Sequence, residues 1–258
     1  MVRLRGAVAA AALVLVAVSG CKDTTGSAGS QKTEGSPTPP RSGISATPGQ
    51  PGETAMPGGS VLTAIDSLTV KSWAPKDGYG RDRFGSPWAD TDSNGCDTRD
   101  DILKRDLKNV KFSDGDCKVV SGLLAPDPYG GENVTFARGR SQVDIDHIVA
   151  LSNAWQTGAK GWAPSKRIAL ANDPLNLLAV GATPNRSKGD GDASNWLPPN
   201  KAYRCSYVAA QVAVKKKYEL WVTPAEKTAM KNVIASCPSQ RLPSGGNPTN
   251  APDRFHAN

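Results

Sequence analysis

The chain has 258 residues, a formal charge of +7 at neutral pH, five cysteines and only two histidines. Without the first sixty residues the basic excess is about +5, which suits a polyanionic partner but does not define one. His256 lies in a polar tail, so any histidine chemistry in the folded part falls to His147.

Arg3 and Arg5 open the chain, and an apolar run from Ala7 to Val18 follows. That run is shorter than the ~20 residues that span a bilayer as a helix. A basic start, a short apolar core and the small residues Ser19 and Gly20 make an export signal over residues 1–20. Cys21, placed directly after them, resembles the acylated cysteine of a bacterial lipoprotein; the alternative is an ordinary signal peptide with a chance cysteine. Residues 21–60 are rich in Ser, Thr, Pro and Gly and have too little apolar surface to offset their ordering entropy, so they are expected to be a disordered tether. The tail, 243–258, has the same character, which leaves 61–242 as one domain.

Within that domain Val61 to Leu68 suits a short helix or strand, and Tyr79 to Asp97 reads as loop. Thr98 to Leu107 has helical spacing, with Asp100 and Asp101 in its first turn. Cys117 to Leu124 and Val134 to Ala137 are strand candidates around the turn Asp127-Pro128-Tyr129-Gly130-Gly131. Val143 to Ile148 is a β-branched strand, Ala150 to Ala159 and Ser165 to Ala171 are helices, and Asn176 to Val180 is another strand. A short helix opens near Asn185. Tyr203, Tyr207, Ala210, Val214 and Tyr218 mark a helix over Ala202 to Tyr218, and Lys215-Lys216-Lys217 on it reads as a solvated face. Thr223-Pro224-Ala225-Glu226 is a capping box that starts a helix running to about Cys237.

Four cysteines in an exported domain imply two disulfides, with three possible connectivities. Cys96–Cys117 and Cys205–Cys237 are favoured because each pair lies within one local region. A zinc site is disfavoured by the lack of a C-x-x-C knuckle and of a nearby histidine.

The chemistry concentrates at Asp144-Ile145-Asp146-His147. A carboxylate can hold a hard cation through oxygen while an adjacent neutral imidazole accepts a proton from water. Adjacent strand residues point to opposite faces, so the two converge only where a strand bends or ends. Asn176 and then Asn185-Arg186-Ser187-Lys188 follow. The large aromatics Trp155, Trp162 and Trp196 are read as core, and Asn172 and Asp173 as a helix end ahead of Pro174.

Asp-His-Ile at 146–148, Asn-Leu-Leu at 176–178 and Asn-x-x-Lys at 185–188 resemble the HNH, or ββα-metal, nuclease motif. The wider pattern includes Gly122 to Gly131, Asp144 to Leu151, Ala154-Trp155, Gly158-Ala159, Trp162, Arg167, Ala171 to Pro174 and Trp196 to Pro199. It resembles exported bacterial HNH proteins related to the C-terminal domain of the GmrSD restriction enzymes, over roughly Asp90 to Cys237. The resemblance implies an α+β fold: a ββα-metal core with flanking helices, stapled by disulfides. It also implies Asp146 and Asn185 as metal ligands, His147 as general base, Asn176 as the residue that orients it and Lys188 as a catalytic lysine. Arg186 and Arg167 are candidates to bind substrate phosphate.

The expected activity is endonucleolytic hydrolysis of phosphodiester bonds in DNA, with RNA as a second substrate. Oxygen ligands favour Mg²⁺ or Mn²⁺ as cofactor. The expected protein is a monomer outside the cytoplasm, touching the membrane only through a lipid on Cys21, with no small-molecule cofactor. Asn185 stands where the family's final histidine often does and is a neutral ligand, which leaves a second reading: a nucleic-acid-binding surface lipoprotein with little or no turnover.

Overall fold

The computed structural model describes residues 60–113, 115–140 and 142–257, so the expected export signal, Cys21 and the expected tether up to position 59 lie outside the described residues. The first helix, α1 (Val61–Ser67), is capped by the Ser60 hydroxyl, which accepts from Leu62 N at 3.1 Å. The loop that follows contains one 3-10 turn, Arg81–Phe84. Helix α2 (Thr98–Asp106) starts at Asp97, whose carboxylate accepts from Asp100 N at 2.7 Å.

Two antiparallel sheets follow. Strands β1 (Lys108–Phe112), β2 (Val119–Leu124) and β3 (Val134–Ala137) form the first, in that order. The second pairs β4 (Val143–His147) with β5 (Leu177–Gly181), in a register that sets Asp146 opposite Leu178 and His147 opposite Leu177. Between β4 and β5 lie α3 (Leu151–Gln156) and α4 (Pro164–Ala171), the latter with proline in its first turn. Helix α5 (Ala182–Lys188) leaves β5 directly and packs on both strands of the ribbon. A long helix α6 (Arg204–Tyr218) and α7 (Pro224–Ile234) close the fold. None of the helices among the described residues is long and apolar enough to cross a membrane.

The β4–β5 ribbon is covered on both faces, and its side chains sort by the two-residue period of a strand. Ile145, Leu177 and Ala179 join a core with Ile102 and Leu103 of α2 and Phe136 of β3. Val180, together with Ile148 just beyond β4, joins a second core built from α1, α6 and α7. A third core gathers Val149, Leu151, Trp155, Ile168 and Tyr218. The end of β4 at His147 is where these cores adjoin.

Both favoured disulfides are formed, Cys96–Cys117 and Cys205–Cys237, and the second ties the start of α6 to the residues just after α7. Helix α5 begins at Ala182, ahead of the expected opening near Asn185, and three further local features differ from expectation. Strand β1, Lys-Asn-Val-Lys-Phe, is too polar to announce itself, and it forms because it occupies a sheet edge with its lysines exposed. Lys215 is fully buried rather than solvated, because Glu226, Asn153 Oδ1 and the Trp221 carbonyl converge on its ammonium group. Glu226 therefore turns to Lys215, while Thr223 Oγ1 alone caps α7 by accepting from Glu226 N at 3.1 Å.

The tail is the third difference. Residues 243–257 pack against the domain although they form no regular element. Ala251 is buried and its N–H donates to Ser165 O at 3.1 Å, and Asn247 N donates to Asp173 Oδ1 at 3.2 Å. Asp173 is fully buried and also accepts from Lys217 Nζ at 2.6 Å and the Tyr218 hydroxyl at 2.8 Å, so it is a junction for the tail and not merely a helix end.

Candidate active site

The site is assembled from the turn after β2, the end of β4 and the helix after β5. Asp127 fixes the turn: its Oδ1 accepts from Tyr129 N at 3.0 Å and Gly181 N at 2.9 Å, and its Oδ2 from Gly130 N at 2.8 Å. A Cβ at Gly181 would come within 2.5 Å of that carboxylate, so only glycine lets β5 approach the turn. The turn aims Tyr129 at Asp146, and the phenol donates to Asp146 Oδ2 at 2.6 Å. From α5, Lys188 Nζ donates to Asp146 Oδ1 and to the His147 carbonyl, both at 2.9 Å. Burial pushes the Asp146 carboxyl pKa up, and the Lys188 ammonium and the Tyr129 hydroxyl oppose that shift.

His147 is 9% exposed. Its Nε2 lies 2.9 Å from the Ala171 carbonyl oxygen. A carbonyl only accepts, so Nε2 carries the proton and the lone pair sits on Nδ1. Burial lowers the pKa to about 4, and the positive charges of Arg81 and Lys188 add to the effect while the Ala171 bond opposes it. The imidazole is thus neutral at pH 7. Trp88 stacks on it at 6.1 Å between ring centroids and 12° between planes. Trp88 has φ 59°, an unusual backbone for a residue other than glycine, and Thr98 N holds its carbonyl at 3.3 Å.

Among the described residues Asn176 makes no hydrogen bond to the imidazole. Its side chain accepts from Val149 N at 2.8 Å and donates to Val149 O and Leu170 O at 3.3 Å each, which fixes the chain just after His147. Asn185 donates through Nδ2 to Asp144 Oδ2 at 3.2 Å.

Two cavities meet at His147. A polar one of about 190 Å³ is lined by Tyr79, Arg81, Asp146, His147, Asn185 and Asp190. A more apolar one of about 210 Å³ is lined by Arg81, Phe84, Pro87, Trp88, Leu151 and His147, among others. The structure thus brings Asp146, His147 and Asn185 to one cavity and leaves four expected residues, Asn176 and the three cations, off its lining. Lys188 is buried against Asp146. Arg167 points inward, with Nε on Arg83 O at 2.7 Å and Nη1 on Trp162 O. Arg186 is exposed beside Asp144 and lines a different cavity with Gly130 and Thr183.

Sequence reasoning missed Tyr129 as the partner of Asp146, although the Asp-Pro-Tyr turn was part of the pattern. It also missed Arg81 and Trp88, which sit in a loop whose spacing carries no periodic signal.

Among the described residues no three His, Cys, Asp or Glu side chains come together in a group that could hold a metal ion. The donors at the polar cavity are instead one carboxylate and one amide oxygen. Asp146 accepts one hydrogen bond on each oxygen, which leaves lone pairs on both, and Asn185 Oδ1 accepts none among the described residues. This set fits a hard divalent cation that keeps most of its waters.

An α+β, disulfide-stapled domain with an imidazole and a carboxylate at the end of a two-stranded ribbon defines the class. Residues 97–233 match the family described as GmrSD restriction endonucleases, C-terminal domain, and the chain belongs to that nuclease-related family. It is also 43% identical over 175 residues to an uncharacterized secreted protein of Arthroderma benhamiae, a match that covers 67% of this chain and 82% of the relative. No solved structure matches the chain.

Proposed function

We propose that the domain is a metal-dependent endonuclease of HNH type that hydrolyses phosphodiester bonds of DNA, with RNA as a second substrate. The observation that carries the reading is His147: its Nε2–H is tied to Ala171 O, leaving a neutral Nδ1 lone pair on a ring that borders the same polar cavity as Asp146 and Asn185. His147 takes the proton of the attacking water. Asp146 and Asn185 would hold Mg²⁺ or Mn²⁺, which would supply positive charge beside the phosphate. Tyr129 and Lys188 keep the Asp146 carboxylate in one rotamer, and Asn176 fixes the backbone behind the base. The protein acts outside the cytoplasm, in keeping with its secreted relative, and on this reading it is a monomer tethered through a lipid on Cys21.

The Lys188 ammonium already neutralises Asp146, and this favours one competing reading, a DNA-binding lipoprotein that holds metal weakly and turns over little. Plasmid cleavage with Mg²⁺, Mn²⁺ and EDTA separates the two. Wild type is expected to nick in either metal, with activity lost in His147→Ala and in Asp146→Asn, which keeps the shape of the side chain. Equal cleavage by all three proteins overturns the nuclease reading, and salt-sensitive binding without cleavage establishes the second one.

A further inference from the structure

Three of the cations expected near substrate are accounted for elsewhere: Lys188 on Asp146, Arg167 on two backbone carbonyls, Arg186 beside Asp144 on another cavity. Arg81 differs from all of them. It is exposed, and among the described residues its side chain makes no hydrogen bond or ion pair. It lines the polar cavity, the apolar cavity on the other side of His147, and a third of about 520 Å³ that reaches His256 of the tail. It therefore stands where the three meet.

Its backbone is well held although its side chain makes no hydrogen bond or ion pair among the described residues. The 3-10 turn that carries it buries Phe84 to 1% exposure, and the Arg83 carbonyl accepts from the buried Arg167. The entropy lost on binding an anion is then that of one side chain, not of a loop. The surroundings are also asymmetric. The polar cavity has the carboxylates of Asp146 and Asp190, and Asp190 is paired with Lys76 at 2.9 Å as Asp146 is with Lys188. Both acids facing Arg81 in that cavity are thus neutralised by lysines, and the guanidinium keeps its charge for an incoming group.

We propose that Arg81 is the phosphate-binding residue of this site, its guanidinium gripping a backbone phosphate of the nucleic-acid strand at the cavity that holds His147. A planar fork of N–H donors suits two phosphate oxygens. The proposal rests on the reading that this cavity takes a phosphodiester, and its test separates the two claims.

Anisotropy of a labelled DNA oligonucleotide in EDTA, across a salt series, compares wild type with Arg81→Met and Arg81→Lys, with Arg186→Met as the surface control. Loss of one phosphate contact is expected to lower the slope of log affinity against log salt by about one in Arg81→Met. Arg81→Lys should restore the slope, and Arg186→Met should leave it unchanged. In cleavage with Mn²⁺, Arg81→Met is expected to lose on the order of 100-fold in kcat/KM, with partial recovery in Arg81→Lys.

If wild type cleaves while Arg81→Met, folded by circular dichroism, keeps both slope and kcat/KM, the proposal fails and the nuclease reading stands. If binding shows the Arg81-dependent slope without cleavage, the proposal stands and the nuclease reading fails. If wild type neither binds nor cleaves, both fall.

Discussion

Among the described residues two lysine–carboxylate pairs are buried, Lys188 with Asp146 and Lys215 with Glu226, each at 2.9 Å and each with side chains no more than 7% exposed. The second is enclosed between α6, α7 and Asn153 of α3, and Lys215 also bonds the Trp221 carbonyl. The first borders the polar cavity, with Tyr129 on the far carboxylate oxygen and the His147 carbonyl on the lysine. The same chemistry thus serves two ends. In the interior it bolts the helical hairpin together, and at the ribbon end it fixes a carboxylate beside the imidazole.

Removing one lysine at a time separates the two pairs most clearly. Either Lys215→Met or Lys188→Met leaves an uncompensated buried carboxylate and is expected to destabilise by about 3–5 kcal/mol, read by urea denaturation. Activity per folded molecule should survive Lys215→Met and fall in Lys188→Met. The double variant Lys215→Met/Glu226→Leu should recover most of the lost stability, since an apolar pair of similar volume replaces the ions. An equal fall of specific activity in both single variants would erase the distinction between the two pairs.

Acid sharpens it next. The folded His147 pKa is lowered to about 4 from 6.5, so the unfolded chain takes up the proton first. Its contribution is fully present above pH 6.5 and is lost as pH falls towards 4, about 3 kcal/mol in all. Stability curves from pH 7 to 4 should show this loss in wild type, and His147→Gln should flatten it. An unchanged pH dependence in that variant would mean that the imidazole is not held neutral by burial.

The smallest effect is expected at the surface. Arg186 faces another cavity, so Arg186→Ala should stay within about two-fold of wild type in kcat/KM and within about 0.5 kcal/mol in stability. A large loss of cleavage there would move the phosphate path away from Arg81.

Much of this was legible because it is local. The β-branched run at 143–148 and the tyrosine spacing on α6 survive in the structure, as does the threonine cap of α7. Asp-His followed by Asn185 named three side chains that do meet at one cavity. The tail misled because composition counts apolar residues, whereas it packs through a few of them, Ala251, Phe255 and Ala257, and through hydrogen bonds to Asp173, Ser165 and Asp90. The burial of Lys188 and Arg167 was not legible, because a cation in sequence carries no sign of which way it points.

The sequence by itself indicated most helices and strands, favoured the two disulfide pairings and singled out Asp146, His147 and Asn185, since periodicity, caps and short spacings are properties of neighbouring residues. Only the tertiary structure decided which charges are buried and which are free, because the groups that neutralise or expose them come from distant segments. Lys188 meets Asp146 across 42 positions, Lys217 meets Asp173 across 44, and Arg81 joins the His147 cavity from a loop before the first sheet.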